Sequence, residues 1–517
     1  MNAVELIKRG AIYFPNHTGV IYEGKKLTFE QVYRNSNRLA NALLKLGLKK
    51  GDRVAFLLAN SLQSVEIDFA LLLTGLVRVP LNTRLSEKEH RHMIQETGAK
   101  ALLFTEEFSE RAVQLKESCE NLHYFCQMNG TPKASWIINM TESVQSESDD
   151  EPNVKVEDSD IATIQYTSGT TGVLKAAVHT HEVWAAICNN ILTSLDIREN
   201  DVMLHAAPLT HASGTLVLPH WIRGAANSIL PGFEPKQYLE VIHHEKPTTL
   251  NLVPTMIVML LSQPDVEKYS FESVRNIIYG ASPMPREALR KGLDLWGPKF
   301  VQYYGQTEAP LILSILDKKD HIGDGPEVEK RLLSCGRPVS TTSIKIVDEN
   351  NQEVPAGEIG EIAVKTSQMM VGYWKAPKLT KETIVDGWIH TRDMGYLDED
   401  GYLYLVDRKS DMIISGGFNV YPREVEEVLY QHPAVLEAAV VGVPDEKWVE
   451  TVKAFVVLKK NHTATEEEII EFCKERLASY KKPTSVEFID ELPKSPVGKV
   501  VRRVLREKYW KGKERQV

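Results

Sequence analysis

The chain has 517 residues, of which 43% are hydrophobic and 25% are charged, and its net charge is −9. Its length is several times that of a typical domain, which predicts about two to four modules with sizeable cores. The negative net charge argues against a nucleic-acid-binding protein, because such proteins carry an excess of Lys and Arg to meet the phosphate backbone. The five cysteines lack CxxC spacing and predict neither a disulfide framework nor a zinc site.

The first residues, MNAVELIKRGAIYFPNHTG, contain no long apolar core followed by a small-residue cleavage site. The longest apolar run, at 69–77, is far shorter than the roughly 20 residues that a membrane span requires. We therefore expect a cytoplasmic protein and leave peripheral membrane contact open.

Helical and strand patterns alternate from residue 27 onward, which is typical of a large α/β body. The acidic stretch at 141–160, TESVQSESDDEPNVKVEDSD, has few large apolar residues and predicts an exposed connector. The predicted helices span 30–48, 184–195 and 235–244, and the predicted strands span 53–58, 101–104, 161–166, 248–253 and 276–279.

Beyond Cys335 the pattern changes to period-2 strands with tight turns, which predicts a β-rich subdomain. An α+β module follows, and the polar segment 407–411, DRKSD, is the candidate hinge before it. The predicted fold class is α/β multidomain: a large N-terminal domain at 1–408, made of α/β subdomains and the β-rich subdomain, and a small α+β C-terminal domain at 409–517. The strands are predicted at 343–347, 361–364, 401–406, 436–441 and 452–458, and the helices at 422–431 and 466–477.

Basic residues are concentrated near the end of the chain. They form either a local cationic patch or a solvated helix end, and we favour the helix end because the whole chain is acidic. The residues are Arg502, Arg503, Arg506, Lys508, Lys511 and Lys513.

The segment YTSGTTGVLK, at 166–175, is a loop of hydroxyls and glycines closed by a lysine, and it follows a predicted strand. Its glycines tolerate positive φ, which lets successive N–H groups converge on a phosphate, and its hydroxyls and lysine add donors and charge. The spacing is not the Walker pattern, so another nucleotide-binding family is indicated. A surface loop without a ligand is the alternative. The candidate nucleotide-binding residues are Thr167, Ser168, Gly169, Thr170, Thr171, Gly172 and Lys175.

Four later segments carry residue types that a nucleotide enzyme acting on a carboxylate would need. The small-residue turn at 280–283, GASP, which contains Ser282, would let a flat base approach the backbone. The segment 303–308, YYGQTE, offers an aromatic face, a hydroxyl and the carboxylate of Glu308, which could hold Mg²⁺ beside phosphates. Asp393 could accept hydrogen bonds from both ribose hydroxyls, and Lys499 follows a loop that suits a reaching lysine. In isolation, the segments at 280–283 and 303–308 are more often core or loop, a solvated turn is as common a role for Asp393, and Lys499 would most often be a surface lysine.

The motifs YTSGTTG, GASP, YGQTE, the Asp393 turn, DRKSDMIISGGFNVYPREVE and PKSPVGK occur in that order. This set resembles the adenylate-forming superfamily of acyl-CoA and aryl-CoA synthetases, luciferases and peptide-synthetase adenylation domains. The similarity covers essentially the whole chain, and the version of the hinge motif looks most like that of fatty acyl-CoA synthetases.

The resemblance implies a two-step reaction with ATP, Mg²⁺ and coenzyme A. A carboxylate attacks the α-phosphorus of ATP to give an acyl adenylate and pyrophosphate, and a thiol then displaces AMP. In the family the C-terminal domain rotates between these steps, which implies that the domain at 409–517 is mobile. The implied substrate is a carboxylic acid, with a fatty or other apolar acyl chain expected.

The resemblance also implies roles for individual residues. Lys499 matches the lysine that bridges the nascent acyl phosphate, and Tyr304 matches the residue that stacks on adenine. Gly416 and Gly417 match the lining of the pantetheine tunnel, and His211 matches a position beside the acyl group. The catalytic candidates are Lys499, Glu308, Thr170 and His211, the metal candidate is Glu308, and the remaining nucleotide contacts are Ser282, Thr307, Asp393 and Arg408.

Three residues depart from the family pattern. Leu174 and Ala176 replace the usual proline and glycine around the loop lysine, so the loop is expected to be looser or to follow a shifted path. Ser410 replaces the aspartate or lysine that most relatives have at the hinge, so rotation is expected to differ.

Two other functions stay open beside the acid:CoA ligase. One is a ligase that loads the adenylate onto a separate carrier protein. The other is a nucleotide-binding sensor with impaired catalysis, which is suggested by the three residues that depart from the family pattern. The joint presence of Lys499, Glu308 and Asp393 argues against the sensor.

Overall fold

A computed structural model of the protein describes residues 1–167, 174–282, 284–415, 418–445, 448–495 and 499–511. In its first part, strands and helices alternate as expected. The elements are α1 Ala3–Tyr13, β1 Thr18–Tyr22, β2 Lys25–Thr28, α2 Phe29–Lys45, β3 Arg53–Leu57, α3 Ser64–Leu73, β4 Val77–Pro80, α4 Glu87–Thr97, β5 Ala101–Phe104, α5 Ser109–Ser118, β6 Tyr124–Gln127, β7 Ile137–Asn139, α6 Met140–Ser143, β8 Ile161–Tyr166, β9 Ala176–Thr180 and α7 His181–Ser194.

The same alternation continues to about residue 340. The elements are β10 Val202–His205, α8 Val217–Ile222, β11 Ala226–Ile229, α9 Pro235–Glu245, β12 Thr249–Leu252, α10 Pro254–Leu261, β13 Asn276–Gly280, α11 Arg286–Trp296, β14 Phe300–Gln306, β15 Ala309–Leu316, α12 Pro326–Arg331 and β16 Arg337–Pro338.

A mainly β segment follows, and then a smaller α+β module. The first comprises β17 Thr342–Val347, β18 Gly360–Thr366, β19 Gly372–Tyr373, α13 Pro377–Thr383, β20 Ile384–Val385, β21 Trp388–Leu397 and β22 Leu403–Arg408; the second comprises β23 Ile413–Ser415, β24 Phe418–Val420, α14 Pro422–Leu429, β25 Val435–Asp445, β26 Val449–Leu458, α15 Glu466–Lys474, β27 Ser485–Phe488 and α16 Arg502–Trp510.

The strands form four sheets. A nine-stranded sheet has the order β16-β15-β14-β13-β12-β10-β11-β1-β2, and an eight-stranded sheet has the order β19-β9-β8-β4-β3-β5-β6-β7. A five-stranded sheet contains β17, β18, β20, β21 and β22, and the C-terminal module has its own sheet of β23 to β27. The α/β multidomain class predicted from the sequence is thus confirmed.

Helices cover both faces of the two large sheets. In β13, Ile277 packs into the cluster of α9, α10 and α11, whereas its neighbour Ile278 packs into the cluster that contains α7. In β3, Ala55 packs into one hydrophobic cluster, and its neighbour Val54 packs into another. Strands buried on both faces read as continuous apolar runs, which is why their positions could be predicted.

The acidic stretch at 141–160 forms ion pairs with basic residues of the first helices. The prediction of an exposed connector did not include these contacts. Asp149 pairs with Arg38 at 3.0 Å, and Glu147 pairs with Lys45 at 2.6 Å, both on α2. Opposite charges therefore hold a segment that has too few apolar side chains to pack by itself.

The basic C-terminal segment is helical, but the prediction of a solvated helix end was wrong for two of its residues. Arg502 donates two hydrogen bonds to Oε1 and Oε2 of Glu426, at 3.0 and 2.8 Å, and Arg506 pairs with Asp411 at 3.1 Å. Lys508 is exposed and pairs with Glu487. The acidic partners lie far away in sequence, so the pattern of the segment alone could not reveal them.

The five cysteines are buried free thiols. Across the residues that the structure describes, no helix combines the length and the apolar character that crossing a membrane would require.

A buried carboxylate joins α2 to α3. Asn35 of α2 donates a hydrogen bond of 2.7 Å to Oε1 of Glu66 on α3. Burial raises the pKa of Glu66 to about 7, and the hydrogen bond from Asn35 opposes this rise only in part. The folded state therefore binds the Glu66 proton more tightly than the unfolded chain does. Stability falls as the pH rises from 4.5, the usual value, to about 7, and this contribution no longer changes above that pH.

Glu66→Gln removes this ionisation while keeping the oxygen that accepts from Asn35. We expect the variant to be more stable than the wild type at pH 8, by up to about 3 kcal/mol, and nearly equal to it at about pH 4, where Glu66 is largely protonated in both the folded and the unfolded state. Urea unfolding midpoints of both proteins at the two pH values measure this. An equal shift at both pH values would instead indicate a packing effect.

Candidate active site

A cavity of about 920 Å³ lies between the large α/β body and the C-terminal module. It opens at the carboxyl ends of β8, β13 and β14, which is where open α/β sheets bind ligands. Sequence segments far apart in the chain meet there. The predicted site residues that line it are Thr167, Lys175, Ser282, Tyr304, Thr307, Glu308, Asp393, Arg408 and Lys499.

The carboxylate of Asp393 contacts several other residues of the site. Its Oδ2 accepts hydrogen bonds from the Tyr304 hydroxyl at 2.7 Å and from Gln306 Nε2 at 2.6 Å. Its Oδ1 lies 3.4 Å from Nε of Arg408, which stands opposite Asp393 in the pairing of β21 with β22. Oδ1 thus keeps capacity to accept from a ligand hydroxyl.

Tyr304 is buried, and its ring lines the cavity while its hydroxyl bonds Asp393. The next residue, Gly305, is required by close packing, since a Cβ there would lie 1.8 Å from the carbonyl oxygen of Leu311. After this tight turn, Gln306, Thr307 and Glu308 line the cavity.

Glu308 is held by Tyr373, a residue that the sequence analysis did not identify. The Tyr373 hydroxyl donates to Glu308 Oε1 at 2.6 Å, and the ring centre of Tyr373 lies 5.8 Å from Nζ of Lys175. Tyr373 itself is buried in β19, which pairs with β9 just after the predicted phosphate loop. One tyrosine therefore orients a carboxylate and a lysine of the site, and only the tertiary pairing of a two-residue strand reveals it.

The base of the predicted phosphate loop is closed by two hydrogen bonds. Thr167 N donates to Lys175 O at 2.8 Å, and Lys175 N donates to Thr167 Oγ1 at 3.3 Å. Ala176 is buried at the first position of β9, and Leu174, which precedes the strand, packs against an apolar cluster, so both departures from the family pattern have packed side chains. The candidates Ser168, Gly169, Thr170, Thr171 and Gly172 lie outside the described residues.

Lys499 reaches the cavity from the C-terminal module. Ser495 N donates to Lys499 O at 2.6 Å and Lys499 N donates to Ser495 Oγ at 3.2 Å, so the two ends of this loop are tied together. The pKa of Lys499 is lowered to about 8 by burial and by the charge of Arg408, while Asp393 and Glu308 act in the opposite direction. The ammonium thus shares the cavity with both carboxylates of the site.

His211 does not belong to this cavity wall. Its Nε2 lies 3.1 Å from Asn82 Nδ2 and its Nδ1 lies 3.0 Å from Thr210 Oγ1. Burial, with a smaller effect of Arg84, lowers the pKa of His211 to about 4, so the ring is neutral at physiological pH. Gly416 and Gly417 lie outside the described residues.

The donor set suits Mg²⁺ together with phosphates. The described parts of the chain contain no group of three His, Cys, Asp or Glu that could hold a metal by themselves. Mg²⁺ is usually held by one or two carboxylates, several waters and substrate phosphates. Glu308, whose Oε2 has no hydrogen-bond donor among the described residues, fits that kind of site.

Comparison with known protein families identifies the class of protein. Residues 7–374 match the AMP-binding enzyme family, and residues 424–499 match the AMP-binding enzyme C-terminal domain. The chain therefore belongs to this family of adenylate-forming ligases, as its motifs predicted. Its members include acyl-CoA and aryl-CoA ligases and carrier-protein ligases, and the CoA ligases among them use ATP, Mg²⁺ and coenzyme A.

Individual relatives differ in the acid and the acceptor. The fatty acid–[acyl-carrier-protein] ligase ScoC of Streptomyces coeruleorubidus is 36% identical over 509 residues, which cover 97% of this chain and 95% of the relative. A feruloyl-CoA synthase of Amycolatopsis is 36% identical, with 97% and 98% covered. Among solved structures, the anthranilate CoA ligase AuaEII in complex with anthranoyl-AMP aligns with a TM-score of 0.90 and 28% identity, over 98% of this chain and 97% of that one.

The position of Lys499 predicts a distinctive titration. Carbon-13 methylated lysines followed by NMR should show one resonance, absent in Lys499→Arg, whose midpoint lies near 8, below the value of about 10.5 that is usual for a lysine. In Arg408→Gln the Lys499 midpoint should rise, because a neighbouring positive charge is removed. A Lys499 midpoint at the usual lysine value of about 10.5 would contradict the described arrangement.

Proposed function

We propose that the protein is an ATP-dependent, AMP-forming acid:CoA ligase that activates a carboxylic acid, in particular a fatty acid, and transfers its acyl group to coenzyme A. The observation that carries the proposal is the meeting of Lys499 with Lys175, Glu308 and Asp393 in one cavity. Family membership indicates the class of reaction. The presence of these four side chains in one cavity supports the proposal that this chain catalyses it.

In the proposed first step, a carboxylate oxygen attacks the α-phosphorus of ATP. The bond from that phosphorus to the bridging oxygen of pyrophosphate breaks, which yields the acyl adenylate and pyrophosphate. Two anions must approach each other, so Lys499 and Lys175 lower the barrier by neutralising charge that develops there. Mg²⁺ held by Glu308 and the phosphates would neutralise further charge. Tyr304 would pack on adenine, Thr307 would contact ATP, and Asp393 and Arg408 would hold the ribose end.

In the proposed second step, the thiol sulfur of coenzyme A attacks the acyl carbonyl carbon, the thiol proton is lost and AMP leaves. Lys499 occupies the cavity in the described arrangement, so the C-terminal domain at 409–517 has to move first. We propose that it rotates about the hinge at 407–411 and brings Gly416 and Gly417 to the thiol path. Arg506 donates to Ser410 O at 3.1 Å, which ties the hinge segment to the last helix of the same domain.

A carrier-protein acceptor is the second candidate, and the similarity to ScoC favours it specifically. The chemistry at the carbonyl carbon is the same, since a carrier presents the same kind of thiol. An impaired nucleotide sensor receives less support, because the charged side chains required for adenylation lie together in the cavity.

The deciding experiment is a panel of carboxylic acids, from acetate to long fatty acids and benzoates, assayed for AMP release. Each acid is offered with coenzyme A and, separately, with a carrier protein bearing phosphopantetheine. Because each buried methylene contributes about 0.8 kcal/mol, the preferred acid should be clear from a several-fold change between neighbours. Acyl-CoA formation from a fatty acid supports the proposal. Thioester formation on the carrier alone favours the second candidate, and no acid-dependent AMP release would refute both.

Lys499→Ala should separate the two steps. We expect AMP release from acid and ATP to fall by about 100-fold or more, whereas thioester formation from a supplied acyl adenylate should change little, because Lys499 acts on the phosphate in the first step only. Lys474→Ala, which removes an exposed lysine of the same module, is the control. Equal losses in both half-reactions would contradict the proposed domain rotation.

A further inference from the structure

A bulge in β21 shapes the cavity wall next to Asp393. Where β21 pairs with β18, it advances from His390 to Met394 while its partner advances by only two residues. Two extra residues are therefore accommodated at 391–393. Bulges of this kind redirect side chains and are frequent beside active sites.

Arg392 lies inside this bulge with a φ of +60°. Side chains with a Cβ adopt this left-handed conformation at an energetic cost, which the surroundings must offset. Arg392 N donates to Glu361 Oε1 at 3.0 Å, and Lys409 N donates to Arg392 O at 3.1 Å. The adjacent Thr391 hydroxyl donates to Ile362 O at 2.7 Å. The fold thus holds an arginine where a glycine would meet no strain.

The guanidinium of Arg392 lines the cavity from an exposed position. Within the described part of the chain it makes neither a hydrogen bond nor an ion pair. By contrast, Arg408 in the same wall pairs with Asp393. The strained backbone therefore supports a charge that no described residue pairs with.

The positive charge of Arg392 acts on Lys175, which lines the same cavity. Burial is the first cause of the lowered pKa of Lys175, and repulsion by Arg392 and by Arg408 adds to it, opposed by Glu308. Arg392 has no comparable effect on Lys499, whose pKa responds to burial and then to Arg408. Arg392 and Lys175 thus form a cationic pair whose repulsion a polyanion would relieve.

We propose that Arg392 binds the β- and γ-phosphates of ATP together with Lys175, since both side chains line the same cavity. This inference rests on the proposed function, because it assumes that the cavity takes ATP. A planar guanidinium can donate two parallel hydrogen bonds to phosphate oxygens, so Arg392 adds directional contacts to the point charge of Lys175. The pyrophosphate part of the nucleotide is its target, and AMP lacks that part.

Arg392→Gly gives a sharp test, because glycine relieves the backbone strain while it removes the charge. We expect the melting temperature not to fall and the Kd for ATP with Mg²⁺, measured by calorimetry without any carboxylic acid, to rise about 10-fold or more. The Kd for pyrophosphate should rise likewise, and the Kd for AMP should stay within about twofold. Arg392→Lys should lie between the wild type and the glycine variant.

Asp386→Gly is the matched control. Asp386 is exposed in the turn before β21, has a φ of +51° and does not line the cavity. This variant should bind ATP, pyrophosphate and AMP as the wild type does.

The outcomes separate the inference from the function on which it rests. Unchanged ATP and pyrophosphate affinity in Arg392→Gly, or an equal loss of ATP and AMP affinity, would overturn the role of Arg392. If the wild type bound no ATP, the proposed function would fail and this inference with it. ATP binding by the wild type with a selective loss in the variant supports both.

Discussion

The hydrogen-bonded carboxylate of Asp393 joins the parts of the molecule that must act together. It accepts from Tyr304 and Gln306 of the nine-stranded sheet, it lies on the β-rich segment, and it faces Arg408 at the start of the hinge. A buried carboxylate needs such partners, because an unpaired charge in this position would be costly. Because Asp393 needs these partners, three segments that are distant in sequence meet at one edge of the cavity. Lys499 of the C-terminal module also lines this cavity.

A second tyrosine, Tyr373, supports the residues that are expected to bind Mg²⁺ and phosphate. Tyr373 donates to Glu308 and lies against Lys175, so a group that suits Mg²⁺ and a group that suits phosphate share one rigid support. The bulge that carries Arg392 is fixed from both neighbouring strands. The cavity is therefore built mainly by side chains and backbone held in place before a ligand arrives, which is the arrangement that electrostatic catalysis requires.

Much of the fold could be predicted from local pattern. Strands such as β8 and β5 were placed to the residue, because apolar runs flanked by polar turns have few other interpretations. Site residues such as Asp393 and Lys499 were identified only through the order of the motifs, since each is unremarkable in its own segment. The contacts between them depend on tertiary pairing, and no spacing along the chain encodes those distances.

The failures have equally specific causes. Arg502 and Arg506 looked like a solvated cationic end, because their carboxylate partners, Glu426 and Asp411, come from about 80 to 95 residues earlier in the chain. Tyr373 lies in a two-residue strand that carries no periodic signal. Arg392 directly precedes Asp393, but a positive φ at a residue other than glycine cannot be read from sequence. His211 remains a proposal for the acyl side, although it is not among the side chains that line the described cavity.

The central claim is that the cavity joins a carboxylate to the α-phosphorus of ATP. The most direct measurement uses the acid that the panel identifies, labelled with oxygen-18 in its carboxylate, and determines the mass of the AMP released after thioester formation. The account predicts one oxygen-18 atom in the phosphate of each AMP, because the attacking carboxylate oxygen stays with phosphorus when the thiol displaces the acyl group. Unlabelled AMP would contradict it and would show that ATP is cleaved by another nucleophile.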